Sequence, residues 1–485
     1  MAPLPPPAPE DVAISALTAV GDAGQDGLRP VLVSIQPPPG TARTPSDICC
    51  VVDVSGSMSN DALLQSEDGT MSSSHGLSVL DIVKHALRTI IANLSGDDRL
   101  ALVAYSNAAK TIFPLTEMNE NGRKLSENKL EELVAEGMTN LWDGLQTGLT
   151  LLKEGAADSN RLQHIMLFTD GLPNINPPRG ILPMLKRLKD KSEGGRLSCT
   201  ISTFGFGYEL DSALLSQLAA DGFGTYAFIP DAGFVGTVFV NAMSNLLVTM
   251  ARDVVVTLKP VEGAAFAEPK SLLGSHEFIQ AEALQVHLGT LQFGQAKDVV
   301  VMMRGSGERL LEASVEYTTR AGPGRPVVAA GCTDPARVEL HRLRLKAVDC
   351  IQQAMASLKL TAMDRANGKA LPLDQASEIV QAMISEISSS PSKEAAEGLR
   401  EDFEGQVSEA LSREDWYQKW GLHYLPSLMS AHLSQQCNNF KDAGVQSYGG
   451  ELFQNIRDAA DDVFLSLPAP QPSARPQAAP TATRV

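Results

Sequence analysis

The chain has 485 residues, with 40 basic and 57 acidic side chains and a formal charge of −17. That length suffices for about three domains with sizeable cores, and so negative a chain is a poor candidate for nonspecific binding to nucleic acid or anionic membranes. Its six cysteines form no Cys-x-x-Cys pair, so neither a zinc site nor a disulfide framework is indicated, and a reducing, cytoplasmic location is expected.

Residues 1–10 are Pro-rich, without an apolar core or basic flank, and read as a disordered start and not a signal peptide. Val12 to Val20 and Pro30 to Ile35 read as short strands. Ile48-Cys49-Cys50-Val51-Val52 reads as a central parallel strand whose two cysteines face opposite ways. It runs into Asp53-Val54-Ser55-Gly56-Ser57, at the carboxyl end of a strand, where open α/β sheets place their ligands. One carboxylate and two hydroxyls at alternate positions are hard oxygen donors, suited to Mg²⁺ or Mn²⁺ and not to soft metals.

The stretch from Asn60 to Gly76, rich in Ser, Met and Gly, is expected to overhang this loop as a mobile insertion. Leu77 to Leu94 carries Leu80, Val83, Leu87, Ile90 and Ile91 on one helical stripe. Arg99 to Tyr105 is a strand, and Lys110 to Leu115 is expected to return beside it as an antiparallel edge. Leu125 to Val134 and Leu141 to Leu152 read as helices. Gly137-Met138-Thr139-Asn140 precedes the second, so Thr139 offers a hydroxyl at a helix start, where Thr is also an ordinary cap. Ile165-Met166-Leu167-Phe168-Thr169-Asp170-Gly171 is another apolar strand ending in an acidic turn. Leu197 to Phe204, a helix from Asp211 to Ala220 capped by Asp211, and Gly224 to Ile229 complete the pattern. The uncharged stretch between Asp231 and Arg252 is marginally long enough to cross a membrane. Thr237, Asn241, Ser244, Asn245 and Thr249 paint one polar face on it, however, so a helix packed on the sheet is expected and no membrane span.

From Asp253 to about Thr319 the chain is strand-like, and from about Asp334 to Leu465 it is helical. His341, Arg342, Arg344 and Lys346 are expected to form the solvated face of a helix. His276-Glu277 lacks the second His of a zincin pair and lies in the strand-like region, so it is discounted. Trp420, His423 and Cys437 are read as packing residues. After Leu467 the composition of Pro, Ala, Thr and Ser is too poor in large apolar residues to fold.

The three strand-end loops resemble the metal-ion-dependent adhesion site of the von Willebrand factor type A family. The resemblance implies that Asp53, Ser55, Ser57, Thr139 and Asp170 surround one divalent cation, Mg²⁺ or else Mn²⁺ or Ca²⁺, with one position left for a partner's Asp or Glu. The segments around Trp420 to Pro426, Cys437 to Asp442, Tyr448 to Gly450 and Ala460 to Asp462 resemble the Vwaint region that follows such domains. The Hint module and RING finger carried by some members of these families have no counterpart in this sequence.

The expected architecture is a doubly wound, Rossmann-like α/β domain at 45–252, inserted in a β-sandwich formed by 11–44 and 253–330. An α-helical Vwaint-like region at 331–466 and a disordered tail at 467–485 follow. The expected function is a non-enzymatic, cation-dependent protein-binding module or adaptor. The alternatives are a recognition subunit of a ubiquitin-ligase-type or ATPase/chelatase-type assembly and, more remotely, a hydrolase. Gly-x-Ser-x-Gly and P-loop patterns are absent, and the only histidines of the α/β domain are His75, His85 and His164.

Overall fold

The computed structural model describes residues 14–24, 26–65, 71–155, 161–192, 195–267, 272–274, 276–280, 283–324, 326–360 and 369–473. The expected disordered start and the end of the tail lie outside these residues. Strands β1 (Ser15–Val20) and β2 (Arg29–Gln36) pair antiparallel. The α/β domain then opens with β3 (Ser46–Asp53), buried along its whole length, as a parallel strand covered on both faces must be. The segment expected to be a mobile overhang instead supplies two paired strands, β4 (Asp61–Gln65) and β5 (Met71–Ser78).

Helix α1 (Val79–Asn93) starts at a capping box: the Ser78 N–H donates to Asp81 Oδ2 at 2.8 Å, and Ser78 Oγ accepts from the Asp81 N–H at 3.1 Å. The domain continues through β6 (Arg99–Tyr105), β7 (Ala109–Glu117), α2 (Glu120–Glu131), α3 (Leu141–Gly155) and β8 (Leu162–Thr169). Helix α4 (Ile181–Lys191), β9 (Thr200–Phe206), α5 (Ser212–Asp221), β10 (Phe223–Ile229) and α6 (Val235–Leu247) complete it. The sheet order is β10-β9-β8-β3-β6-β7, with only β7 antiparallel. Ile48, Cys50 and Val52 of β3 join one core with α1, α2 and α6, while Cys49 and Val51 join another with α3, α4 and α5. The period of two in a strand thus sends the two cysteines to opposite layers. Helix α4 was not anticipated, although Ile181, Leu182, Met184, Leu185 and Leu188 place one apolar face against the core shared with α3 and α5.

The chain then forms β11 (Thr249–Pro260), β12 (Ala265–Phe266), β13 (Glu277–Gln280), β14 (Leu284–Gln292), β15 (Lys297–Arg304) and β16 (Leu311–Thr319). Short strands β17 (Gly322–Pro323), β18 (Val327–Val328) and β19 (Ala330–Cys332) follow. One sheet runs β12-β15-β2-β1-β19 and the other β13-β14-β11-β16-β17. Strand β2 pairs antiparallel with β15 from Arg29–Met303 to Ile35–Lys297, so strands from either side of the α/β domain lie side by side. Val31, Val33 and Ile35 share a core with Val256, Leu258, Val286 and Val315 of the facing sheet.

Helices α7 (Pro335–Ser357), α8 (Leu373–Ser389), α9 (Glu397–Asp402), α10 (Leu422–Ser434) and α11 (Glu451–Ser466) lead the last region. Here the basic cluster corrects the expectation. Arg344 is buried and donates to the Asp298 carbonyl at 2.7 Å and to the His432 carbonyl, and His341 Nε2 lies 3.3 Å from Asp298 Oδ2. Arg342 and Lys346 instead bond Glu386 of α8. The four polar side chains recur at helical spacing on sides that face β15 and α8, and sequence periodicity cannot tell a solvated polar side from one matched by buried acceptors. The tail also departs from expectation near its start, where the Ser473 N–H and hydroxyl both donate to Asp81 Oδ1. No helix among the described residues is long and apolar enough to cross a membrane.

Arg344→Leu leaves two buried carbonyls without their donor and should cost about 3 kcal/mol. Lys346→Ala, at a half-exposed ion pair, should cost less than about 1 kcal/mol. Urea midpoints of the two variants check the difference, and equal midpoints would contradict the buried role of Arg344.

Candidate metal centre

Asp53 ends β3 and Asp170 follows β8 directly, so parallel pairing of these strands delivers both carboxylates to one edge of the sheet. Asp53 is fully buried: its Oδ1 accepts the Ser55 N–H at 2.8 Å and its Oδ2 accepts the Thr169 hydroxyl at 2.7 Å. The Ser55 and Ser57 hydroxyls are hydrogen-bonded at 3.1 Å, and Ser57 Oγ donates to Asp170 Oδ1 at 2.7 Å. Ser57, Asp170 and Thr139 line one cavity of about 550 Å³. All five expected residues therefore meet in one place.

Backbone bonds fix the loops that carry them. The Gly56 N–H donates to the Gly137 carbonyl at 3.0 Å, and Gly137 has φ +77°, a left-handed conformation that glycine adopts without strain. Asn174 clamps the second loop to the third: its Oδ1 accepts the Thr139 N–H at 2.7 Å, and its own N–H donates to the Thr139 carbonyl at 3.1 Å. Asn107 Oδ1 accepts the Met138 N–H at 2.9 Å. Thr169, Asn174 and Asn107 were given no role by the sequence reading. Thr169 stands in the acidic turn that ends β8, whereas no local pattern singles out the two asparagines.

Burial raises the Asp53 carboxyl, opposed by the hydrogen bonds from Thr169 and Ser55. Asp170 is pushed up to about 7, chiefly by burial, with the Asp53 charge adding to it and the Ser57 hydrogen bond opposing. Among the described residues no Lys, Arg or His lines the cavity, while Asp61, Glu209 and Asp231 line it besides Asp170. Five oxygen donors with two poorly neutralised carboxylates are a set that hard divalent cations favour. Among the described residues no three His, Cys, Asp or Glu side chains come together as a metal cluster. A cation held here would therefore depend on the hydroxyls.

The other chemistry-bearing residues fall elsewhere. His164 pairs with Ile48 at the far end of β3, five residues from Asp53 and so about 16 Å away. Burial depresses His164 to about 3, and its Nδ1 lies 2.7 Å from the Thr200 hydroxyl. His85 packs edge-on against Phe464, and the His75 side chain lies outside the described residues. His423 is buried, with Nδ1 2.6 Å from the Ser212 hydroxyl and Nε2 3.0 Å from the Tyr208 carbonyl. Cys437 is buried in the helical core, and Trp420 packs partly buried between two cores.

Residues 48–172 match the family model of the von Willebrand factor type A domain, and residues 393–462 match Vwaint, described as VWA / Hh protein intein-like. An uncharacterized protein of Synechocystis sp. is 29% identical over 230 residues, covering 47% of this chain and 48% of that protein. The E3 ubiquitin-protein ligase WAV3 of Arabidopsis thaliana is 23% identical over 292 residues, covering 59% of this chain and 33% of the ligase. The chain thus spans about half or less of the length of these curated relatives. Among solved structures, the von Willebrand factor type A protein from Catenulispora acidiphila superposes with a TM-score of 0.59 at 15% identity, covering 86% of this chain and 96% of that one. At that identity the likeness is one of fold.

The raised Asp170 carboxyl sets a pH dependence. Between its ordinary value and about 7 the folded state keeps a proton that the unfolded state has lost, so metal-free protein loses stability as pH rises through that window. The cost at pH 8 is on the order of 4 kcal/mol. In a chelator, Asp170→Asn should raise the melting temperature at pH 8 and change it little at pH 4. An equal drop at both pH values would show that the carboxylate is not strained by its burial.

Proposed function

We propose that this chain, which carries a von Willebrand factor type A domain followed by a Vwaint region, is a non-enzymatic, divalent-cation-dependent protein-binding module. The observation that carries this reading is the Ser57–Asp170 hydrogen bond beside Asp53, in a cavity lined by no basic side chain among the described residues. Ser55, Ser57 and Thr139 would offer hydroxyl oxygens, and Asp53 and Asp170 the charge, to Mg²⁺, Mn²⁺ or Ca²⁺. A cation bound there supplies an electrophilic position for an Asp or Glu of a partner protein. Asn174 and the Gly56–Gly137 bond hold the three loops in register, which limits the ordering that binding would require.

A hydrolase reading finds no histidine base among the described residues, since His164 pairs at the far end of β3 and His85 packs on Phe464. Recognition within a ubiquitin-ligase-type assembly is the second reading, favoured by the similarity to WAV3 over 59% of this chain. An ATPase/chelatase-type assembly would use the same site. The charge of −17 speaks against nucleic acid as the partner. All six cysteines are unpaired, which supports a cytoplasmic location.

We also read the two sheets that share Val31, Val33 and Val256 as one β-sandwich into which the α/β domain is inserted. On this reading the residues before Pro45 are structural. A chain beginning at Pro45 would expose the β15 edge and one apolar face, and should aggregate where the full chain does not. A monomeric truncation that melts like the full chain would contradict the insertion.

The cation is tested by melting. At 100 times its Kd, Mg²⁺ should stabilise the chain by about 2.7 kcal/mol. Asp53→Asn, which keeps one acceptor for Ser55 or Thr169, should abolish that gain. An undiminished Mg²⁺ response in Asp53→Asn would put the cation elsewhere. Capture of a partner from extract should likewise be lost with chelator and with Asp53→Asn alike.

A further inference from the structure

Beyond α11 the described chain runs Leu467-Pro468-Ala469-Pro470-Gln471-Pro472-Ser473. Phe464, near the end of that helix, packs edge-on against His85 of α1, and Ser473 bonds Asp81 of the same helix. Asp81 and His85 are four residues apart and so share one face of α1. The Ser473 N–H donates to Asp81 Oδ1 at 3.2 Å, and the Ser473 hydroxyl donates to the same oxygen. Asp81 Oδ2 is held by the Ser78 N–H and hydroxyl, both at 2.8 Å. One acid thus closes the capping box of α1 with one oxygen and anchors the tail with the other. Proline at every second position fixes φ along the segment, which lowers the entropy lost when Ser473 is anchored.

The anchored end of α1 is tied to the first metal loop. The Val79 N–H donates to the Asn60 carbonyl at 3.0 Å, and the Asn60 N–H donates to the Ser57 carbonyl at 2.8 Å. Ser57 Oγ is the group that meets Asp170. Asn60, Val79 and Ile82 line the cavity, whereas no described residue beyond α11 does, so the tail braces a wall and does not plug the opening. Release would exchange the two Ser473 bonds for bonds to water, since Ser473 is exposed. Docked and undocked forms therefore differ little in free energy, as a switchable element must. We propose that residues 467–473 form a releasable strap, and that its docking on Asp81 orders the turn from Ser57 to Asn60 and so tightens cation binding. A loop already ordered by the strap loses less freedom when the cation arrives. By linkage, the cation tightens the strap by the same factor. The inference rests on the cation site and adds a control over its affinity.

The test is amide hydrogen exchange on the full chain, in chelator and in saturating MgCl2, with Mg²⁺ affinity measured alongside. Ser473→Asp sets a like charge against Asp81, while Gln471→Glu adds the same charge at an exposed residue whose side chain bonds Ala469 instead. In chelator, Ser473→Asp should speed exchange at 467–473 and at 56–60 about tenfold, and Gln471→Glu should change neither. MgCl2 should slow exchange at 467–473 of the wild type about fivefold, and Ser473→Asp should bind Mg²⁺ more weakly by about the same fivefold. Faster exchange at 467–473 with 56–60 unchanged, or equal Mg²⁺ affinity in wild type and Ser473→Asp, would overturn the coupling and leave the cation site standing. Unchanged exchange at 467–473 in Ser473→Asp would overturn the strap itself. If the wild type binds no Mg²⁺ while 56–60 still responds to Ser473→Asp, the bracing of the loop stands and the cation site alone falls.

Discussion

Two carboxylates brought to one sheet edge by parallel strands, with no basic side chain among the described residues of the cavity beside them, set the terms for the rest of this molecule. Placing Asp53 and Asp170 in a buried position costs free energy, because each charged form has lost water and each opposes the other. The chain meets that cost with hydroxyls, Thr169 on Asp53 and Ser57 on Asp170, where a lysine or arginine would have neutralised the pair. Hydroxyl donors moderate the charge without cancelling it, so the site keeps its attraction for a cation. A salt bridge would be more stable and would leave nothing for a ligand to gain.

The same physics runs the other way at the second buried charge cluster. Asp298 at the start of β15 receives Arg337 at 3.1 Å and Gln435 at 2.9 Å, while Arg344 bonds its carbonyl. Here cations and amides satisfy the buried acid, so the cluster serves to fasten α7 and the end of α10 to the β-rich layer. Further bonds fasten the helical region to the α/β domain. Asn245 of α6 donates to the Cys437 carbonyl at 2.7 Å, Phe440 stacks on Phe234, and Phe464 of α11 packs on Gly236 of α6. Helix α6 borders the cavity through Val235, so the Vwaint segment buttresses the wall of the candidate site. That gives its residues a role in packing that needs no chemistry of their own: His432, for example, is buried between Asp402 at 3.2 Å and the Tyr448 hydroxyl at 2.8 Å.

The α/β domain was legible because its signals are local. Val51 and Val52 form an unbroken apolar run, and a strand so composed must be covered on both faces. The hydroxyls and acids that follow it have no packing reason to be there. Helix α4 is a plain omission, since Ile181, Leu182, Met184, Leu185 and Leu188 recur at helical spacing and all pack on one core. The basic residues of α7 were misjudged for a physical reason: charge at helical spacing looks the same whether water or a buried carbonyl meets it.

By itself the sequence determined the strand-end placement of Asp53, Ser55, Ser57 and Asp170 and the helix-start placement of Thr139, since apolar runs fix where a strand stops and what stands there. Only the tertiary structure decided what surrounds them: that Asn174 and Asn107 clamp the loops, that Glu209 and Asp231 line the same cavity, and that Arg344 turns inward. The physical reason is range. Burial and periodicity act over neighbouring residues and leave a pattern in the chain. A hydrogen bond between residues 35 apart, like that of Thr139 with Asn174, depends on how strands and helices pack and leaves none.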